Sequence, residues 1–260
     1  MVNACSGGCE SISVRLAHAL LKTESVKYEK RLIAFVDFLG FKKMIEESEV
    51  DEHRTCEIYS AIHNIYMVLW DYLANSPGNT TLRITHFSDS IVMSCVFDEA
   101  EDVVLIIRHL RYVQQMLAEE HSMLLRGAIT IGDLIHDDHI LMGPAMVEAY
   151  TMENNVALYP RIIMSDIAKQ AWDKCTQILQ VADTPDNQFM HKDTDGQWYI
   201  DYLNDLDDNF SNDGEWMYNN IRHLIKKNIL NPVLQPKYQW LDDKFKASNI
   251  YSRFKPLAKK

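Results

Sequence analysis

Three residues far apart in the chain are of the kinds that phosphate chemistry uses: Asp37, Asp89 and Arg126. Asp37 closes the apolar run Arg31-Leu-Ile-Ala-Phe-Val-Asp-Phe-Leu-Gly40. Asp89 lies in the Ser-Asp-Ser link of Leu82-Arg-Ile-Thr-His-Phe-Ser-Asp-Ser-Ile-Val-Met-Ser94. A carboxylate at the end of a buried strand is costly unless it is partnered. A second carboxylate in a neighbouring hairpin turn supplies the other half of a hard-oxygen site for a divalent cation. Taken singly, each acid has a plainer reading: Asp37 caps the helix that follows, and Asp89 is a turn residue. Arg126, in Leu124-Leu-Arg-Gly-Ala-Ile-Thr-Ile-Gly132, is by itself an ordinary surface strand residue. Beside two acids and a phosphate it becomes a counter-charge.

These residues meet only if a sheet brings them together. The run ending at Asp37 has the length and bulk of a buried strand, and Gly40 opens a helix carrying Phe41, Met44 and Ile45. Apolar residues at helical spacing predict further helices over 52–75, 99–121, 144–153 and 166–178. Strands are expected over 80–87 and 90–97, over 123–131 with Gly127 permitting close backbone approach, and over 161–164. A second hairpin is expected around Asp137-Asp138. The early order is β-α-β-β-α-β, the ferredoxin-like pattern, so the fold class is α+β with an antiparallel-rich sheet and helices on one face. Residues 1–29 read as an arm with a helix over 10–29, 30–180 as the core domain, and 181–260 as a segment packed on that core. Within the last, Asp195-Gly196 predicts a hairpin turn, and 215–230 and 236–251 predict two helices.

With the third segment added, Ile140-Leu-Met-Gly-Pro-Ala-Met-Val-Glu-Ala-Tyr150 and Ile162-Ile-Met-Ser-Asp166, the ordered set resembles the catalytic domain of class III nucleotidyl cyclases over residues 31–170. The resemblance implies a palm-like core in which Asp37, Asp89 and the Phe38 carbonyl hold two Mg²⁺ or Mn²⁺ ions. It also implies that the turn of Leu39, Gly40, Phe41 and Lys42 offers backbone N–H groups to the β- and γ-phosphates, and that Arg126 contacts phosphate. It makes Thr85 and Ile140 the base-reading positions, where purine-specific members carry a polar pair. The family's ribose-binding asparagine and transition-state arginine fall on Val147 and Thr151. A substitute donor is then needed, with Arg83, Arg126 and Arg161 as candidates.

The divergent base positions and the trailing Asp195-Gly-Gln-Trp-Tyr-Ile-Asp-Tyr202 look like the pyrimidine cyclases of the bacterial Pycsar antiphage systems. That resemblance implies a uridylate or cytidylate cyclase, with UTP favoured over CTP, whose product acts on a separate effector protein. Phe87, Met142 and Tyr150 are bulky enough to fill a pocket cut for a one-ring base. It also implies a homodimer with composite sites. Two rivals stand beside it: an adenylate or guanylate cyclase with an unusual pocket, and a catalytically dead dimerising module that binds nucleotide.

Composition narrows the remaining classes. The 260 residues are 47% hydrophobic, enough for one sizeable core. A net charge of −11 without strong basic clusters argues against a nucleic-acid partner. No apolar stretch has the roughly 18 residues of a membrane span, and the start lacks the pattern of a signal peptide. Five scattered cysteines, an odd number, fit a reducing cytoplasm rather than a disulfide framework. Cys5 and Cys9 lack the second Cys/His pair a zinc site needs.

Overall fold

The computed structural model describes residues 26–75, 81–97, 100–178, 190–204 and 213–255. β1 (Glu29–Phe38) is followed by α1 (Phe41–Ser48), α2 (Glu52–Asn75), β2 (Arg83–Phe87), β3 (Ser90–Val96) and α3 (Ala100–Glu120). Next come β4 (Leu125–His136), β5 (Leu141–Met142), α4 (Pro144–Asn155), β6 (Ile162–Met164) and α5 (Asp166–Ile178). The hairpin β7 (Met190–Lys192) and β8 (Trp198–Ile200) then precedes α6 (Asp213–Asn228), α7 (Gln235–Ala247) and α8 (Asn249–Phe254).

Among the described residues the strands form one sheet in the order β2-β3-β1-β4-β6-β8-β7, with β5 paired to β4 outside this path. All pairings are antiparallel except β4 with β6. The protein is therefore α+β with a mostly antiparallel sheet. The β7–β8 hairpin extends that same sheet through β6.

Helices cover both faces, not one as expected. β1 is buried on consecutive residues from Arg31 to Phe38, so neither face of it can be left to water. Leu32, Ala34, Val36 and Phe38 pack with residues of α2, α3 and α5 such as Ile65, Ile106 and Trp172. Ile33 and Phe35 point the other way and meet Ala145 and Ala149 of α4. Gly127 permits this close β1–β4 pairing: a Cβ there would lie 2.5 Å from the Phe35 carbonyl oxygen.

The C-terminal segment has its own apolar cluster, including Tyr202, Met217, Ile221, Leu241, Phe245 and Ile250, which continues onto Ala118 and Leu124 of the sheet domain. Polar contacts dock it too: Arg111 donates to the Asp201 carbonyl (3.0 Å) and Asn220 to the Glu119 carbonyl (2.6 Å). Two expectations are corrected. The helix over 236–251 breaks at Ser248, whose extended backbone and Oγ, accepting from the Tyr251 N–H at 3.2 Å, start α8. Residues 26–28 carry no helix and residue 29 begins β1; the remainder of the expected helix, residues 10–25, lies outside the described residues.

Candidate active site

Asp37 is the last residue of β1 paired on both sides, opposite Ser90 of β3 and Arg126 of β4. Just beyond it the Phe38 N–H donates to the Asp89 carbonyl (3.1 Å), and the Leu39 N–H donates to the Leu124 carbonyl (2.8 Å). The strand end is thus tied to the β2–β3 turn on one side and to the start of β4 on the other. Ser88 closes that turn with a φ of 57°, a left-handed conformation uncommon outside glycine.

The consequence is a meeting of two carboxyls. The Asp37 carboxyl stands close enough to Asp89 for that acid to disfavour its charge. Burial above all, then the charges of Asp89 and Glu153, push Asp37 up to about 7 against the opposing pull of Arg126. Arg126 Nε and Nη2 donate to Asp37 Oδ2 at 3.2 and 3.3 Å. The same Nη2 lies 2.8 Å from Glu153 Oε1. Glu153, on α4, is buried, and burial raises its carboxyl while Arg126 draws it down.

A fifth group comes from the C-terminal segment. Lys237, in the first turn of α7, is half-buried; burial lowers its ammonium, as does Arg126, while Asp37 and Glu153 hold it up. The cluster is therefore three carboxylates, Asp37, Asp89 and Glu153, about the Arg126 guanidinium, with Lys237 near enough to feel the charges of Asp37, Glu153 and Arg126.

Beside it the chain turns into α1. Gly40 takes a φ of 83°, and no side chain caps the helix; the Lys43 and Met44 N–H groups return to the Gly40 carbonyl at 3.1 and 3.3 Å. A cleft of about 490 Å³ runs along this turn, with Leu39, Gly40 and Lys42 on one side and Asn228, Leu234 and Tyr238 on the other. Lys42 is exposed and lies 3.9 Å from Glu46. Phe38 and Phe41 bury their rings together, 5.8 Å apart, which leaves the backbone as what they offer to a ligand.

The remaining sequence-predicted positions lie outside this cluster. Thr85 shares the α4 face of the sheet with Asp37 by register. Its hydroxyl is bound to His136 Nε2 at 2.9 Å. From there a buried chain runs through Ser94 Oγ (2.8 Å from His136 Nδ1) to Arg31, whose Nε donates to that Oγ at 2.9 Å. Ile140 lies in the β4–β5 turn, half exposed, with its N–H donated to Asp137 Oδ1 at 2.7 Å. Of the candidate substitute donors, Arg126 is in the cluster. Arg161 is not: it is fully buried, ion-paired with Asp193 and Asp195, and set against Tyr159 and Trp240. Arg83 donates to the Leu82 carbonyl at 3.0 Å.

Sequence reasoning missed Glu153 and Lys237. Glu153 had a signal: it follows Ala145 and Ala149 at helical spacing, on the stripe that faces the sheet, where an acid needs a partner. Nothing near Lys237 in sequence marks it.

Among the described residues no group of three or more His, Cys, Asp or Glu side chains is arranged to hold a metal ion. The two aspartates nonetheless fit Mg²⁺ or Mn²⁺: they are hard oxygen donors, and a cation between them would relieve the repulsion that raises Asp37. Backbone carbonyl, phosphate oxygens and water would have to complete the coordination.

No family model matches the chain, and no curated protein sequence matches it. Several solved structures superpose on part of it. A bacterial light-regulated adenylyl cyclase is 15% identical, with 57% of this chain and 82% of that one covered at a TM-score of 0.45. The monomeric guanylyl cyclase domain of the RhoGC fusion protein from the aquatic fungus Blastocladiella emersonii is also 15% identical, with 67% and 96% covered at 0.44. A class III adenylyl cyclase-like ATP-binding protein from Pseudomonas aeruginosa is 10% identical, with 59% and 40% covered at 0.43.

Proposed function

We propose that this protein is a nucleotide cyclase that converts a pyrimidine nucleoside triphosphate, UTP in preference to CTP, into the 3′,5′-cyclic monophosphate and pyrophosphate. The observation that carries the reading is the convergence of Asp37 and Asp89 at the end of β1, tied by the Phe38 N–H to Asp89 carbonyl bond, beside an uncapped glycine turn. Two divalent cations held by Asp37, Asp89 and the Phe38 carbonyl would stabilise the attacking and leaving oxygens of an in-line displacement. Leu39, Gly40, Phe41 and Lys42 bind the β- and γ-phosphates through the start of α1. Arg126, relieved of Asp37 once that carboxylate is engaged, turns its guanidinium to phosphate.

The active form is a homodimer in which Thr85 and Ile140 of one protomer read the base held at the acids of the other. Exposed apolar side chains on the β2–β3 turn, the β4–β5 hairpin and α4 support this: Phe87, Ile140, Met142, Val147 and Tyr150. Such clusters on a monomer mark contact surfaces. The cyclic product serves as a second messenger to a separate effector in antiphage defence, in the cytoplasm. Among the described residues no helix is long and apolar enough to cross a membrane.

The test is a chromatographic product assay of the full chain with each of the four triphosphates and Mn²⁺. Cyclic UMP or cyclic CMP with pyrophosphate is expected from the wild type and none from Asp89→Ala. Cyclic AMP or cyclic GMP instead would make it a purine cyclase. A second reading, a nucleotide-binding module without turnover, is favoured by the engagement of Arg126 with Asp37 and Glu153. Folded wild-type dimer that binds triphosphate and releases no pyrophosphate would establish it.

A further inference from the structure

One buried polar chain lies outside the acid cluster, and its protons run in one direction. Arg31, Ser94 and His136 are 3%, 0% and 5% exposed, on the α4 face of the sheet. Arg31 donates from Nε to Ser94 Oγ (2.9 Å) and from Nη2 to the Ser94 carbonyl (3.1 Å). A guanidinium only donates, so Ser94 Oγ accepts from Arg31. The Ser94 hydroxyl proton must go elsewhere, and among the described residues the partner for it is His136 Nδ1 at 2.8 Å. Nδ1 is then the accepting nitrogen. Burial first, then the charges of Arg31 and Arg83, push the ring down to about 4, so near pH 7 it is neutral and carries its one proton on Nε2. That nitrogen lies 2.9 Å from Thr85 Oγ1. Thr85 thus ends the chain as an acceptor from His136, with its own hydroxyl proton still to donate.

The chain ends where a ligand can reach it. α4 packs on β4 and β1, whereas Thr85 sits on β2 at the edge of the sheet and is only half-buried. Phe87, two residues on and on the same side, is exposed. Of the two base-reading positions in the cyclase reading, Ile140 brings an apolar side chain. Its N–H donates to Asp137 Oδ1 (2.7 Å) and its carbonyl accepts from the Asp137 N–H (3.0 Å), so both are engaged within their own turn. Polar discrimination at that pair falls to the Thr85 hydroxyl.

We propose that His136 is a positioning residue that fixes the Thr85 hydroxyl as a hydrogen-bond donor, and that this donor selects uracil over cytosine. The inference rests on the cyclase reading and supplies the physical basis of its base preference. Uracil carries at C4 a carbonyl oxygen, which accepts; cytosine carries there an amino group, which donates. A hydroxyl free to turn would serve either base. One that already accepts from His136 completes its bonding with a carbonyl, whereas a cytosine amino group leaves the hydroxyl proton without a partner. A site built to hydrogen-bond one group discriminates against the analogue that cannot return the bond. The opposite tautomer, with the proton on Nδ1, would take the Thr85 proton onto Nε2 and reverse the preference.

The test uses the full chain. Nitrogen-15 NMR of the wild type at pH 7, with the His136 ring assigned, is expected to show the proton on Nε2; a proton on Nδ1, or a charged ring, overturns the proposal. Calorimetry with Mn²⁺ then compares the α,β-methylene analogues of UTP and CTP, which bind without being cyclised. The preference for the uridine analogue is expected to fall about tenfold in Thr85→Val, to survive in Thr85→Ser and to fall in His136→Leu. Melting temperature checks each fold; if His136→Leu unfolds, the tautomer and Thr85→Val still decide. A wild type that does not favour the uridine analogue, or an unchanged preference in folded Thr85→Val, overturns the proposal. A parallel product assay separates it from the cyclase reading. Cyclic UMP from a protein whose preference ignores Thr85 removes this inference alone, whereas a preference that depends on Thr85 without any cyclic product removes the cyclase reading alone.

Discussion

The Phe38 N–H donates to the carbonyl of Asp89 across 3.1 Å, and this single backbone bond sets two acids from different parts of the chain side by side. Its neighbours in sequence do the rest: Asp37 immediately before Phe38 and Arg126 directly opposite Asp37 on β4. Charge, strain and phosphate-binding geometry at the site all follow from how β1 ends.

Metal binding should depend on pH through Asp37. The folded carboxyl is raised to about 7, so at lower pH a proton must leave before a cation enters. Affinity for Mn²⁺ is expected to rise with pH, about tenfold per pH unit below 7, and to level off above it. Calorimetric titrations at pH 6, 7 and 8 measure this, and Asp37→Asn should bind weakly with no such slope.

The same shift has a cost in the metal-free protein. A folded carboxyl above its ordinary value binds its proton more tightly folded than unfolded, so its contribution to stability falls as pH rises from about 4 to about 7 and stays low beyond. Metal-free Asp37→Asn should therefore be more stable than wild type at pH 8, by about 2 kcal/mol. Denaturant melts at pH 5 and pH 8 give the comparison; an unchanged difference between the two would contradict it.

Arg126 and Glu153 should prove strongly coupled. Glu153 has a side chain only 4% exposed, and its ion pair with Arg126 spans 2.8 Å. Removing Arg126 leaves Glu153 and Asp37 buried without the guanidinium that both share, so Arg126→Met is expected to cost about 3 kcal/mol. The double variant Arg126→Met with Glu153→Met should recover much of that loss in a double-mutant cycle on denaturant stability.

Two glycines should fail differently. An alanine at Gly127 would bring its Cβ to 2.5 Å of the Phe35 carbonyl oxygen and 2.8 Å of Val36 Cγ1, inside the central β1–β4 pairing. Gly127→Ala should cost about 3 kcal/mol or more and express poorly. Gly40 has open space around it and only its φ of 83° to defend, so Gly40→Ala should cost about 1 kcal/mol. The ratio of soluble yields and the two melting temperatures check the contrast.

Self-association should depend on the α4 face. Val147 is 66% exposed and Phe87 81% exposed, so Val147→Glu and Phe87→Glu remove no core packing. Each is expected to shift sedimentation toward monomer at unchanged melting temperature and to lower turnover with it. An unchanged sedimentation coefficient would place the contact elsewhere.

Much of the scaffold is legible in the sequence. The apolar run up to Asp37, the Ser-Asp-Ser link and the Asp-Gly hairpin are local patterns, and β1, the β2–β3 turn and β7–β8 formed where those patterns lie; Gly196 takes the left-handed φ of 85° such a turn requires. Helix coverage was misjudged because the continuous apolar run of β1 was not read as a strand buried on both sides. Arg161 was misjudged because an arginine before a strand looks the same whether it faces solvent or lies beneath Trp240.

What the sequence determined by itself was which segments become strands, which turns carry acids and in what order they come, because propensity, periodicity and turn chemistry act over a few neighbouring residues. The partners were decided only by tertiary structure. Glu153 of α4 reached Arg126, and Lys237 of α7 came into the field of the acids, through packing between residues far apart in the chain. Asp37 is raised to about 7 first by burial under the packed elements and then by the charges of Asp89 and Glu153, and no local pattern encodes either.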